Sequence, residues 1–168
     1  MATITLHGNP VNTIGSLPAV GTKAPDFTLT TAKLEDVNLS RFAGKVKIFS
    51  IVPSLDTGTC AASARRFDRE AGTLGDTVVI NVSRDLPFAS DRFCKGEGLD
   101  HIVTLSEMRD LEFGKSWGVA MVDGALKGLL SRAVVVVDRN DTVVYTQQVS
   151  EIASEPDYAP VLKAAREA

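Results

Sequence analysis

Only two cysteines, Cys60 and Cys94, and only two histidines, His7 and His101, occur among the 168 residues. Two cysteines are too few for a disulfide scaffold. With the histidines they show no paired ligand spacing, which argues against structural zinc. No Cys-x-x-Cys is present, which disfavours a thioredoxin-type reductant. Charge of one sign is scarce as well: the net charge is −3 and the pI is near 5.4. No general attraction to nucleic acid or to an anionic membrane is therefore expected. Long apolar runs are missing. The longest, around Ile48–Pro53 and Ala133–Val137, are strand length and far short of a bilayer span. The N-terminus, Met1 to Pro10, lacks a basic region followed by an apolar one, so no secretory signal is read there. A cytoplasmic location is expected, where thiols are kept reduced and a disulfide is usually transient and catalytic.

Hydrophobic residues make up 44% of the chain and charged residues 23%, both ordinary for a folded globular protein. At 17.9 kDa the expectation is one domain over residues 1–168, with residues 1–15 as an N-terminal hairpin extension. Neither an internal repeat nor a low-complexity tract interrupts it.

The order of elements is read from periodicity. Ile4 to Ile14 alternates apolar and polar residues around Gly8-Asn9-Pro10, the pattern of a small β-hairpin turning there. A loop follows from Gly15 to Pro25. Short strands are expected near Phe27–Thr30 and Val37–Leu39, then a stronger one at Val46–Val52 of the kind covered on both faces. Pro53 ends it. A helix starts near Thr59, with Ala61, Ala64, Phe67, Ala71 and Leu74 as its buried stripe and Asp56 or Thr57 as its cap. A strand at Val78–Val82 comes next. Asp85 and Pro87 read as N-cap and early positions of a short helix through Phe93 and Cys94, stopped by Gly96 and Gly98. A strand at Ile102–Leu105, a short helix near Arg109–Trp117, a hairpin of Leu129–Val137 with Thr142–Val149, and a helix over Pro156–Glu167 complete the chain. Strands alternating with helices, then a hairpin and a helix, give an α/β fold: a mixed sheet with helices on both faces.

The chemistry concentrates in Pro53-Ser54-Leu55-Asp56-Thr57-Gly58-Thr59-Cys60. At a reference pKa near 8.5 only about 3% of a thiol is ionised at neutral pH, and lowering the pKa to around 6 makes it mostly thiolate. Cys60 falls in the first helical turn, where free N–H groups and the helix dipole favour negative charge. Thr57 can offer a hydroxyl to the sulfur or to a bound oxygen, and Pro53 can shield the sulfur without adding an N–H. Arg132 precedes five apolar residues of a strong strand and is a candidate fixed positive charge. By contrast, Arg65, Arg66 and Arg69 with Asp68 and Glu70 read as a solvated helix face. Trp117 and most phenylalanines read as core, whereas Phe88 and Phe93 are candidates for an apolar approach to the site.

The spacing Pro53-x3-Thr57-x2-Cys60 resembles the active-site motif of the peroxiredoxins, and the resemblance runs nearly end to end. It is closest to the thiol peroxidase branch of the atypical two-cysteine type. That pattern is echoed in Gly8-Asn9-Pro10-Val11, in Ala24-Pro25-Asp26-Phe27-Thr28-Leu29 and in Asp85-Leu86-Pro87-Phe88-Ala89 with Arg92-Phe93-Cys94. Lys127-Gly128-Leu129 running into Arg132-Ala133-Val134 is a further echo. Thr59 stands where an aliphatic residue is commoner, and Trp117 where tyrosine is.

The resemblance implies a thioredoxin-like fold, a homodimer, and reduction of hydrogen peroxide and organic hydroperoxides without metal or organic cofactor. It implies that Cys60 is the peroxidatic cysteine, that Pro53, Thr57 and Arg132 shape its pocket, and that Cys94 resolves the sulfenic acid as an intrachain disulfide. A thioredoxin is the implied reductant. A disulfide needs a Cα separation of about 4.4–6.8 Å, and the short helix carrying Cys94, between Pro87 and two glycines, is cheap to unwind. Oxidation is therefore expected to remodel Leu86–Gly98 and the turn around Cys60.

Two functions of other classes compete. One is a peroxide-sensing redox switch or binding module that uses the same disulfide. The other is a cysteine hydrolase pairing Cys60 with His101, for which no nucleophile-base-orienter arrangement is recognisable.

Overall fold

The computed structural model describes residues 1–168. Its first element is a hairpin of β1 (Thr3–Leu6) and β2 (Asn9–Asn12). The turn falls on His7-Gly8 and not on Gly8-Asn9-Pro10, because both central residues have positive φ, 50° and 82°, as the tightest hairpin turns require. Pro10 lies within β2 instead.

Seven further strands form one sheet. They are β3 (Leu29–Thr31), β4 (Asp36–Val37), β5 (Val46–Ile51), β6 (Thr77–Ser83), β7 (Ile102–Ser106), β8 (Ala133–Val137) and β9 (Val143–Gln148). Their order is β4-β3-β7-β6-β5-β8-β9. The pairs β5–β6 and β6–β7 are parallel, and the other pairs antiparallel. Parallel neighbours need crossover helices. These are α1 (Gly58–Ala71) and α2 (Pro87–Glu97), while α3 (Glu112–Ser116) and α4 (Tyr158–Glu167) come later. The mixed sheet, the helices and the N-terminal hairpin are those expected from the sequence, with most strand ends shifted by a residue or two; the strand expected from Leu129 begins only at Ala133.

All six residues of β5 are buried, and alternation divides them between two cores. Phe49 and Ile51 join Phe27, Phe113 and Trp117 on one face. Val46 and Ile48 join Phe67 of α1 and Val161 and Leu162 of α4 on the other. Each fully buried side chain of this size contributes about 1.5–3 kcal/mol, so β5 is firmly anchored. Lys47 is the exception in composition. Its ammonium is fully buried and is paired with Asp141 in the β8–β9 turn, as a buried charge must be. The loop that leaves the C-terminal end of β5 therefore departs from a rigid origin.

Candidate active site

The site begins where β5 ends. Val52 extends the ladder by donating to the Val82 carbonyl at 3.0 Å, and buried Pro53 then turns the chain. Asp85, just beyond β6, clamps the following loop. It accepts from Ser54 Oγ at 2.7 Å, from the Leu55 amide at 2.8 Å and from Ser83 Oγ at 2.8 Å. This corrects its expected role as the N-cap of α2. That cap is Leu86, which makes no side-chain capping bond, because the carboxylate is already engaged by the loop. Pro87 stands at the start of the helix and Gly98, with φ 67°, ends it in the left-handed conformation, as expected. Gly96 remains inside α2.

Thr57, not Asp56, caps α1. Its Oγ1 accepts from the Cys60 amide at 3.3 Å and donates to the Ser54 carbonyl at 3.2 Å. The hydroxyl proton is thus spent on the loop in this state, and not on the sulfur or a bound oxygen as the sequence suggests. A hydroxyl has one proton and two lone pairs, so one lone pair of Thr57 stays open.

Cys60 is fully buried in the first turn of α1. Arg132, immediately before β8, is 3% exposed and reaches it across the β5–β8 pair. Its Nη2 donates to Cys60 Sγ at 3.2 Å, and its Nε donates to the Ile152 carbonyl at 2.8 Å. The remaining nitrogen, Nη1, is buried without a protein partner. A free donor on a guanidinium beside a thiol is costly to bury, and it forms a ready receptor for an oxygen atom. Thr57, Cys60 and Arg132 are therefore brought together, and Pro53 is buried at the start of the same loop.

Cys94 is not in that group. Both cysteines are free thiols, and Cys94 packs, half-buried, against the cluster of Leu55, Ala64 and Leu99. It lines a cleft of about 450 Å3 together with Lys33, Arg41 and Asp91. Burial, with Asp68 and Asp91 nearby, pushes its thiol up to about 11. A larger cleft of about 760 Å3 lies between the Ser54–Asp56 loop and α2, lined by Phe88, Arg92 and Phe93 among others. Phe88 is 65% exposed there. Cys60 lines neither cleft. The wider opening is next to the chemistry and does not contain it.

One other residue differs from expectation. Asp68 is buried, because its carboxylate accepts from the His101 amide at 2.7 Å and lies 3.5 Å from His101 Nδ1. It belongs to the Cys94 surroundings and not to a solvated face, and His101 pairs with it instead of with Cys60. Arg65 and Arg66 do pair at the surface, with Glu97 and Glu70. Trp117 is fully buried, with its Nε1 donating to the Pro25 carbonyl at 3.2 Å.

Sequence reasoning missed the clamp of Asp85 and the carbonyls of Ile152 and Ala153. The Ala153 oxygen accepts from Thr59 Oγ1 at 3.0 Å, beside Cys60. An aspartate before Leu-Pro signals a cap as readily as a clamp, and a backbone carbonyl has no sequence signal at all.

A buried thiol at the start of a helix after a central strand, with an arginine delivered from a neighbouring antiparallel strand, defines a class. The profile of the redoxin family matches residues 19–162. The chain belongs to that family, and its sheet is the thioredoxin-like fold. A thiol peroxidase of Mycobacterium tuberculosis is 49% identical over 164 residues, 98% of this chain and 98% of its own length. The solved structure of a peroxiredoxin-like protein from Aquifex aeolicus superposes with a TM-score of 0.93 at 35% identity, covering 99% of this chain and 97% of its own. A thiol peroxidase from Chromobacterium violaceum shares the fold with a TM-score of 0.92 at 23% identity, with 99% and 97% covered. The chain is thus a peroxiredoxin enzyme, on the thiol peroxidase branch.

Proposed function

We propose that this protein reduces hydrogen peroxide and organic hydroperoxides in a cycle carried by Cys60 and Cys94. The observation that carries the reading is the Arg132 guanidinium, with one nitrogen 3.2 Å from Cys60 Sγ and another buried and unpartnered beside it. A peroxide oxygen accepting from Nη1 sits next to the sulfur that attacks it. The open lone pair of Thr57 Oγ1 is available to the peroxide O–H, and buried Pro53 keeps bulk water from the sulfur.

In the first step the Cys60 thiolate attacks the terminal peroxide oxygen. The S–O bond forms, the O–O bond breaks, and the leaving oxygen takes a proton to depart as alcohol or water. Arg132 offsets the charge on that oxygen as it develops. Cys60 is left as a sulfenic acid. Cys94 then attacks the Cys60 sulfur, an S–S bond forms, and hydroxide leaves with a proton as water. An external dithiol of the thioredoxin type restores both thiols by exchange and is itself oxidised. This scheme takes no metal or organic cofactor, and it is the work of a homodimer in the cytoplasm.

The second step demands motion. Cys94 packs on Leu55, Ala64 and Leu99 and lines a cleft to which Cys60 does not contribute. Helix α2 starts without a side-chain cap and has Gly96 in its last turn, so it is the weaker of the two helices to open.

The test is a thioredoxin-coupled peroxidase assay with intact-mass analysis. Wild type turns over and, when oxidised, loses about two mass units as an internal disulfide. Cys60→Ser is inactive. Cys94→Ser consumes about one equivalent and stalls with Cys60 oxidised. Full thioredoxin-linked turnover by Cys94→Ser would remove Cys94 from the cycle.

A further inference from the structure

The N-terminal hairpin stands outside the seven-stranded sheet, and a two-stranded hairpin alone is marginal in water. It is held by a small core of its own, in which Ile4 and Val11 pack with Met121 and Ile152. The residue before Ile152 fastens it further. The Glu151 carboxylate accepts from Thr5 Oγ1 at 2.7 Å, from the amides of His7 at 2.9 Å and Gly8 at 3.1 Å, and from the Ala153 amide at 3.1 Å. Backbone bonds flank this knot: Thr5 donates to the Ser150 carbonyl at 2.7 Å, and Ile152 donates to the Thr5 carbonyl at 2.8 Å. Bonds to an ionised acceptor are the strong kind. The Thr5 hydroxyl and these amides hold the carboxyl down to about 2.

The other side of the same segment faces the thiol. The Ile152 carbonyl receives Arg132 Nε at 2.8 Å, and the Ala153 carbonyl receives Thr59 Oγ1 at 3.0 Å. The first anchor sets the rotation of a planar guanidinium whose Nη2 meets Cys60 Sγ. The second holds the residue preceding Cys60. Residues 151–153 thus join the hairpin to Arg132 and to the residue preceding Cys60.

We propose that Glu151 is a positioning residue for peroxide reduction: by clamping the N-terminal hairpin onto residues 150–153, it holds the two carbonyls that orient Arg132 and the first turn of α1 against Cys60. This deepens the peroxidase reading and rests on it. A misplacement of about 1 Å in a group that orients a reacting centre can cost about a hundredfold in rate. The hairpin is on this account part of the catalytic apparatus, although none of its residues touches the sulfur.

Three variants of the full chain test it: Glu151→Ala, Glu151→Gln and Thr5→Val. In each, three rates are read: single-turnover oxidation of Cys60 by hydrogen peroxide, disulfide formation from the sulfenic acid, and alkylation of Cys60 by iodoacetamide in a Cys94→Ser background. Glu151→Ala is expected to slow oxidation by about 10- to 100-fold and to slow alkylation, with disulfide formation unchanged. Glu151→Gln keeps an acceptor oxygen and recovers part of the loss. Thr5→Val removes one bond and falls between Glu151→Ala and wild type. Wild-type oxidation and alkylation rates in a Glu151→Ala protein that merely melts lower would overturn the proposal, and so would equal slowing of all three rates. Should Glu151→Ala fail to fold, Thr5→Val decides by the same readouts. Alkylation needs no peroxide, so a wild type that fails to consume peroxide sinks the peroxidase reading while the clamp is still judged by alkylation.

Discussion

Cys60 and Cys94 lie on the two crossover helices that flank β6, one before it and one after, yet their surroundings are opposite. Cys60 opens α1, where the amides are free and Thr57 supplies a cap. Cys94 lies in the last turns of α2, where its own carbonyl already accepts from the Leu99 amide at 2.9 Å. The helix dipole favours negative charge at the first position and opposes it at the second. The neighbours repeat the contrast. A guanidinium contacts the Cys60 sulfur, whereas burial and the carboxylates of Asp68 and Asp91 push the Cys94 thiol up to about 11. The loop before Cys60 is clamped by two bonds to Asp85, while α2 starts without a side-chain cap. On the proposed cycle, one thiol attacks from a fixed frame and the other stays quiet until its helix opens.

The largest effect that would break this contrast lies at Arg132. Arg132→Lys keeps the charge and loses the planar fork, and single-turnover oxidation of Cys60 should fall by about a hundredfold. A wild-type rate in stopped-flow measurement would mean that the arginine does not set the reactive thiol apart. A smaller effect is expected in α2. Gly96 has space for a methyl group, with no atom within 4 Å of an added Cβ. Gly96→Ala should stabilise the helix by about 0.5–1 kcal/mol and slow disulfide formation by about two- to fivefold, with Cys60 oxidation unchanged. Faster disulfide formation in rapid-quench mass analysis would show that α2 need not unwind.

The smallest effect concerns the carboxylates around Cys94. The thiol is raised in the folded protein from an ordinary value of 9.0 to about 11, so the folded state holds this proton more firmly than the unfolded chain. Its contribution to stability is fully present below about 9 and is lost as pH rises through about 11. The urea midpoint should decline over that window more in wild type than in Cys94→Ser. In a Cys60→Ser background, Asp91→Asn should speed alkylation of Cys94 at pH 9 by about twofold, since burial is the larger cause. No change on removing Asp91 would leave burial and Asp68 as the restraints on this thiol.

Much of this was legible in the amino-acid order because it is local. The apolar run of β5, the stripe of α1 and a cap at Asp56 or Thr57 are short-range patterns, and the fold settles the cap on Thr57. Arg132 was legible by its place before a strong strand. The misreadings share one cause, competition among partners that only the fold brings near. Asp85 could cap α2 until Ser54 and Leu55 arrived to claim it. Asp68 looked solvated in its helical stretch until the His101 amide covered it. The His7-Gly8 turn was misplaced by a residue because Asn-Pro is itself a turn signal, whereas pairing with Thr5 and Leu6 draws Pro10 and Asn9 into the ladder.

The bond from Thr5 to Glu151 joins positions 146 residues apart. During synthesis, at about 5–20 residues per second, Cys60 leaves the ribosome several seconds before the segment that fastens its arginine. A contact of such long range is formed late in folding. The nascent chain therefore carries its thiol without the finished pocket, and the site is assembled only when the last strand and its following turn have joined the first hairpin. On the proposed cycle, oxidant reactivity thus arrives with the completed fold, not with the cysteine.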